Sequence, residues 1–404
     1  MRIAMIGTRG VPAAYGGFET AVEEIGRRMV ELGHDVTVYC RRTSPDSPGE
    51  YLGMHLVQLP AVHLKTAETL SHTALSVAHV ATHQRPDAAF VFNAANAPFL
   101  PVLRSRGVPT AVHVDGLEWK RAKWGPRGRR YYRWAEERSV RWGDALIADA
   151  EGIADYYREE FAVPTELISY GAKILTDPAS DRLAKLGLVP GGFHLVVARF
   201  EPENHVDVIV DGYRSSRAEA PLVVVGSAPY AAEYTESIAS SAAGDPRIRM
   251  LGGVFDQDLL DQLYANAMTY VHGHSVGGTN PSLLRAMGAR TAVIAWDVNF
   301  NREVAGPAAR YFSDPAELSE RLEEAEERPH DTAERAEAMQ GRARSSYDWE
   351  IVTEQYLSLA TRLAGGYSTS GSGHVRRSDS TTTPRTTEVA SPRPGLVVTT
   401  EETR

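Results

Sequence analysis

Short apolar runs recur along the chain, each followed by a glycine-rich or polar loop and then by an amphipathic stretch. The first forty residues show the whole unit. "RIAMIG" reads as a buried strand, "TRGVPAAYGG" as a long loop, "FETAVEEIGRRMVELG" as an amphipathic helix ending at glycine, and "DVTVYC" as the next strand. Further strands are predicted at 55–60, 88–93, 110–116, 145–150 and 165–171. A second alternation follows Asp177–Gly191, with strands at 193–199, 221–226, 248–253, 268–273 and 291–296, then a charged helix from Asp314 to about Ser345. Strands alternating with helices make parallel sheets, because a parallel crossover needs a helix-length connection. The chain is therefore predicted to be α/β, with two doubly wound, Rossmann-like domains over residues 1–172 and 173–346. A final helix follows over 347–364. The tail, 365–404, is rich in Ser, Thr, Pro, Gly and Arg and is predicted to be disordered, because it buries too little to offset its ordering entropy. Ligands of such sheets bind at the C-terminal ends of the strands, so two such domains should face a central cleft.

Composition narrows the function classes. A hydrophobic content of 43% and a charged content of 24% suit a globular enzyme, and a net charge of −9 argues against nucleic acid as the main partner. The single cysteine, Cys40, rules out an intrachain disulfide or a thiolate cluster and is expected to be buried. No run approaches the roughly 20 apolar residues of a membrane span. "MRIAMIGTRG" is broken too soon to be a signal peptide. The expected location is cytoplasmic, with contact to the inner face of the plasma membrane left open.

Three loops carry the candidate chemistry of the first half. In "GTRGVPAAYGGFET", Gly16 and Gly17 let backbone approach a ligand at a helix start, although a tight turn is an equally ordinary use of the pair. The spacing fits neither a dinucleotide fingerprint nor a P-loop. In "HVDGLEWKRAKWG", His113, Asp115, Glu118 and Lys120 gather at a strand end. His113 or Asp115 could orient or deprotonate an acceptor hydroxyl, and Asp115–Gly116 could instead be a plain turn. From Lys120 to Arg141, nine Lys and Arg residues interleave with Trp124, Tyr131, Tyr132 and Trp134. That mixture suits an anionic membrane surface or a pyrophosphate-bearing lipid; a solvated helix pairing with Glu136 and Glu137 explains it as well.

In the second half, Arg199 follows a strand directly, with Glu201, Glu203 and Asn204 in the next loop. An arginine fork there suits a diphosphate, or an ion pair with one of the glutamates. Val254 and Phe255 form a plausible edge for a base. "HGHSVGGTNPSLLRAMG" supplies His274, Gly277 and Gly278, the caps Thr279 or Asn280, then Pro281 and Ser282 at a helix start suited to an anion, and Arg285 one turn inside.

Taken in order, "GTRGVPAAYGGFET", "DGLEWKRAKW", "LIADAEGIADYY", "ISYGA", "VVARFEPEN" and "HGHSVGGTNPSLL" resemble the retaining nucleotide-sugar glycosyltransferases of the GT-B fold, the class that includes glycogen synthase and sucrose synthase. More narrowly, they resemble the rhamnosyltransferase-like bacterial subfamily of polysaccharide synthesis. The resemblance spans Met1 to about Leu363. It implies a nucleotide diphosphate sugar as co-substrate, no separate cofactor and no metal. The diphosphate would lie on Arg199 and the N–H groups around Gly278–Ser282, the sugar between Gly16–Gly17 and the His272–Gly277 loop, and the base near Val254–Phe255. Asp115, His113 and Arg199 become the catalytic candidates, and Glu118, Trp119 and Lys120 face an acceptor that is a saccharide or a lipid-pyrophosphate-linked saccharide. The final helix would cross back onto the first domain. Two positions depart from the class: Asn204 stands where it has lysine, and Gly277 and Arg285 stand where it has a spaced pair of glutamates. An arginine cannot accept a hydrogen bond from a ribose hydroxyl. Arg285 is therefore expected either to replace part of the missing cationic contact to the diphosphate, or else to point to solvent or pair with an acid elsewhere. The missing glutamates also keep open a catalytically degenerate sugar-nucleotide-binding protein, and the architecture keeps open a sugar-nucleotide epimerase.

Overall fold

The computed structural model describes residues 1–13, 16–44, 46–62, 67–83, 85–114, 116–121, 124–226 and 232–373. Strands β1 (Arg2–Ile6), β2 (Asp35–Arg41), β3 (Glu50–Tyr51), β4 (Met54–Leu59), β5 (Ala88–Phe92), β6 (Thr110–His113), β7 (Ala145–Ala148) and β8 (Glu166–Leu167) form one sheet in the order β3-β4-β2-β1-β5-β6-β7-β8. Strands β9 (His194–Val197), β10 (Leu222–Val225), β11 (Ile248–Gly252), β12 (Thr269–His272), β13 (Ala292–Trp296) and β14 (Arg310–Phe312) form a second in the order β11-β10-β9-β12-β13-β14. Every described pairing is parallel except β3 with β4. Helices cover both faces, so central strands such as "AAFVF" and "LVVV" are buried throughout and read as continuous apolar runs. Chain direction reverses between β1 and β5 in one sheet and between β9 and β12 in the other. Those two switch points are where such sheets open a ligand crevice.

Four features depart from the sequence expectations. β3 closes a hairpin on β4 through Leu52 and Gly53, both at positive φ, and Leu-Gly is a weak signal for such a turn. β14 is too short to show a period. The charged stretch from 314 to 345 is two helices, Pro315–Glu327 and Pro329–Ser346, because Pro329 has no N–H to continue the first and suits the start of the second. Order also continues past Gly365. Thr369 N donates to Asp144 O at 2.7 Å, Ser370 Oγ to Arg141 O at 2.9 Å, and Tyr367 OH to Glu166 at 3.0 Å. Backbone and hydroxyl groups hold this segment together with Tyr367, which packs against the core; residues 374–404 lie outside the described residues.

The helix Trp349–Ala364 returns to the first domain, where Tyr356 packs edge-on against Phe90 of β5 at 4.9 Å between ring centres. Its approach is fixed beside the outgoing chain, since Ala172 N donates to Tyr347 O at 2.6 Å. Cys40 is buried against Val11 and the Gly10 turn, and burial pushes its thiol up to about 11. Among the described residues no helix is long and apolar enough to cross a membrane.

Candidate active site

The loop after β1 is held by the acids of the helix Gly17–Glu31. Glu19 accepts from Arg9 N at 3.0 Å and Glu23 from Ala13 N at 2.6 Å. Gly16 has φ +121 and lies against the Glu19 carboxylate, and a Cβ on Gly17 would sit 2.9 Å from Pro281 Cγ. Gly17 thus lets the first helix start abut the helix start of the second domain. Further along the same seam, a Cβ on Gly116 would fall 2.5 Å from Gly277 Cα, and Thr279 Oγ1 donates to Asp149 O at 2.5 Å. The strand ends of both sheets meet here.

His113, the last residue of β6, is buried among Phe18, Phe92 and Tyr170, with Nδ1 on Tyr356 OH at 2.9 Å. Burial pulls its pKa down to about 3, so the ring is neutral at pH 7. Its Nε2 has no partner among the described residues. Asp115 lies outside the described residues. Glu118 is buried, accepts from Trp124 Nε1 at 3.0 Å and forms an ion pair with Arg121, whose Nε is 2.8 Å from Oε1, so it holds local structure together. Trp119 is half-buried between the Lys120 ammonium and the Arg133 guanidinium, and Lys120 is exposed.

At the second switch point, Arg199 follows β9 with a half-exposed side chain, 3.6 Å from Glu201. Asn204 is buried, and its amide is used inside the loop: Nδ2 donates to Arg199 O at 2.7 Å, which turns Oδ1 toward His274 Nδ1 at 2.7 Å. Asn204, expected at the donor, therefore shapes the site through Arg199 and His274. With Nδ1 donating to Asn204, the His274 Nε2 is the acceptor atom. Burial and then the nearby Arg121 and Arg199 guanidiniums take the His274 pKa down to about 3. His272 is fully buried, likewise lowered to about 3, mainly by burial. Glu203 is pushed up by burial and then by the Glu201 carboxylate.

The helix Pro281–Gly288 starts as expected. Asn280 accepts from Ser282 N at 3.0 Å and from Ser282 Oγ at 2.7 Å, and Tyr270 OH donates to Ser282 Oγ at 2.9 Å. Arg285 turns away from that start. Its Nε and Nη2 donate to Asp261 Oδ1 at 3.0 and 2.6 Å, and Nη1 and Nη2 reach Gln257 Oε1 and O at 2.9 and 3.0 Å. Its guanidinium also lies over the Tyr264 ring. Of the two expectations for this arginine, the structure holds the pairing with an acid. Phe255, two residues before Gln257, is 75% exposed, and Val254 beside it is half-buried, so the edge expected to face a base stands open. Sequence reasoning left Arg121 among the surface cations; the structure sets it beside Gly277 and His274, a placement its spacing alone does not signal.

The second domain's strand order, with its capped helix start after β12, meets an independent match. Residues 189–346 match the family described as glycosyl transferases group 1. That match spans all six strands of the second sheet. Residues 1–173 match a family described as a domain of unknown function. No curated protein matches the sequence. Among solved structures, sucrose-phosphate synthase from Thermosynechococcus elongatus is 20% identical, with 90% of this chain and 99% of that one covered and a TM-score of 0.78. Anabaena HepE in complex with UDP-glucose is 15% identical over 90% and 100%, with a TM-score of 0.72. The α,α-trehalose 6-phosphate synthase of Burkholderia multivorans is 13% identical over 91% and 99%, with a TM-score of 0.66. The fold of the chain is GT-B.

Proposed function

We propose that the chain is a retaining hexosyltransferase. It moves a hexosyl group, and by resemblance a rhamnosyl group, from a nucleotide diphosphate sugar to a hydroxyl of a saccharide or lipid-linked saccharide in cell-surface polysaccharide synthesis. The observation that carries this reading is the convergence of Arg199, His274 and the capped Pro281 helix start at the second switch point, against Gly17 of the first domain. HepE, of the same fold, holds UDP-glucose, which supports a sugar nucleotide as donor. As the glycosidic bond breaks, positive charge grows on the sugar ring and negative charge on the departing diphosphate. Arg199 and the N–H groups of the helix start are fixed donors for that negative charge. A neutral His113 serves as a hydrogen-bonding group and not as a proton sink at pH 7, which leaves the departing phosphate to take the acceptor's proton, with Asp115 as a positioning group. The acceptor side is the 113–120 segment, with Trp119 and Lys120 at its open edge.

The same reading places the first domain on an anionic membrane. On the helix Pro126–Trp142, Arg127, Arg130, Trp134, Arg138 and Arg141 share one face, while Tyr132, Ala135 and Ser139 are buried on the other. Arg138 lies over the rings of both Trp134 and Trp142. Guanidiniums and interfacial indoles together suit a headgroup layer.

Release of nucleoside diphosphate and sugar transfer, assayed over TDP-, UDP- and GDP-sugars, test the activity. Arg199→Ala should cost about a hundredfold or more in turnover, with an unchanged circular dichroism spectrum. Near-normal turnover in that variant, or no reaction of the wild type with any donor, overturns the reading. Binding to phosphatidylglycerol-containing vesicles should weaken when Arg130 and Arg138 become Glu, and phosphatidylcholine vesicles should bind neither form; equal binding by both proteins removes the membrane face.

A further inference from the structure

We propose that Arg121, carried by the first domain, is a second cation of the donor site and contacts the donor's diphosphate across the seam from Arg199. This deepens the donor reading above and rests on it. The sequence leaves Arg199 short of help. The neighbouring loop position is the neutral Asn204, whose amide is used internally, and Arg285 is spent on Asp261 and Gln257. A sugar-nucleotide diphosphate carries more negative charge than one guanidinium offsets, and more still once the sugar departs.

Three placements single out Arg121. The short helical turn Glu118–Lys120 delivers it, and Nε stands 2.8 Å from Glu118 Oε1 in an ion pair while Trp124 Nε1 donates to the other carboxylate oxygen at 3.0 Å. That ion pair keeps the guanidinium at the end of the turn. Next, a Cβ on Gly277 would stand 3.9 Å from Arg121 Nη2 and 3.7 Å from His274 Nε2. Gly277 has φ +116, a backbone that side chains rarely adopt, so the chain keeps this space clear between a guanidinium and an imidazole acceptor. Finally, the contact of Gly116 with Gly277 fixes the two loops against each other, so Arg121 enters the second domain's site whenever the domains are apposed. The lowered His274 pKa, due first to burial and then to Arg121 and Arg199, agrees with both cations lying near that ring. Glu118 offsets part of the Arg121 charge, which keeps the empty site tolerable. An arriving diphosphate meets donors already oriented, from both domains at once.

The test compares wild type, Arg121→Ala and Arg121→Lys, with Glu118→Gln as a control that loosens the ion pair but keeps the cation. Calorimetry measures the affinity for UDP, TDP and GDP and for the matching nucleosides. Arg121→Ala should weaken the best nucleoside diphosphate about tenfold and leave its nucleoside unchanged, and Arg121→Lys should recover part of the loss. Glu118→Gln should fall between wild type and Arg121→Ala. A structural role would weaken diphosphate and nucleoside alike, and that outcome overturns the assignment. So does unchanged diphosphate affinity with only the acceptor KM raised. If the wild type binds none of the three diphosphates, the donor reading falls and this inference with it; if it binds and Arg121→Ala binds as tightly, only the role of Arg121 falls.

Discussion

Replacing Arg285 by alanine separates the two jobs an arginine can have at the helix Pro281–Gly288. In the structure it makes four hydrogen bonds to the helix Gln257–Asn266, two to the Asp261 carboxylate and two to Gln257. The partners are 22% and 14% exposed, so solvent screens this pair less than a fully exposed one. Hydrogen bonds to charged groups contribute about 1.5–3 kcal/mol each in favourable settings. Lys173 Nζ stays on the other Asp261 oxygen at 2.6 Å, so the carboxylate is not stranded. The expected cost of Arg285→Ala is about 1–2 kcal/mol, or roughly 3–6 °C in melting temperature for a domain of this size. Arg285→Glu should cost more, because like charges about 4 Å apart repel by about 4 kcal/mol at an effective dielectric near 20. Both variants should bind nucleoside diphosphate within about twofold of wild type, since RT ln 2 is a small fraction of a tenfold step. Thermal melts and calorimetry on the same preparations decide the matter. A tenfold loss of diphosphate affinity in Arg285→Ala with an unchanged melting temperature would refute the reasoning and restore Arg285 to the donor.

Other consequences can be measured directly. His113 and His272 each have a pKa near 3 in the fold against 6.5 unfolded, so both are neutral in the native state. Their contribution to stability is complete above the unfolded value and is lost as pH falls from 6.5 toward 3, at about 1.4 kcal/mol per pH unit per histidine. In urea titrations between pH 6 and 4, His113→Gln should show a shallower slope by about one proton; a slope equal to wild type contradicts the buried neutral ring. Cys40, with its thiol raised by burial, should resist maleimide in the native protein at pH 8 and label only as fast as the domain opens; rapid labelling would show the Gly10 turn to be loose. Gly17→Ala places a methyl 2.9 Å from Pro281 and should lower kcat/KM about tenfold or more through misplacement of the two helix starts, with little change in melting temperature; full activity would separate that contact from the reaction.

The two wound domains are legible in the spacing of apolar runs, because a helix-length gap between them permits little except parallel strands, and the ends of those runs mark where ligands bind. Short-range chemistry also limited the cap to Thr279 or Asn280 and buried Cys40, and the structure uses Asn280. Which polar groups are spent and which face the seam depends on long-range contacts that no local pattern records. The resemblance set Asn204 and Arg285 at donor positions, with an acid partner left open for Arg285, and their partners, His274 and Asp261, lie 70 and 24 residues away in sequence. Arg121 looked like one of many surface cations until the apposition of Gly116 and Gly277 set it beside His274. Local periodicity reports which face of an element is buried. The pairing of a guanidinium or an amide depends on what another part of the chain brings within about 3 Å, and that distance exists only once both sheets are assembled.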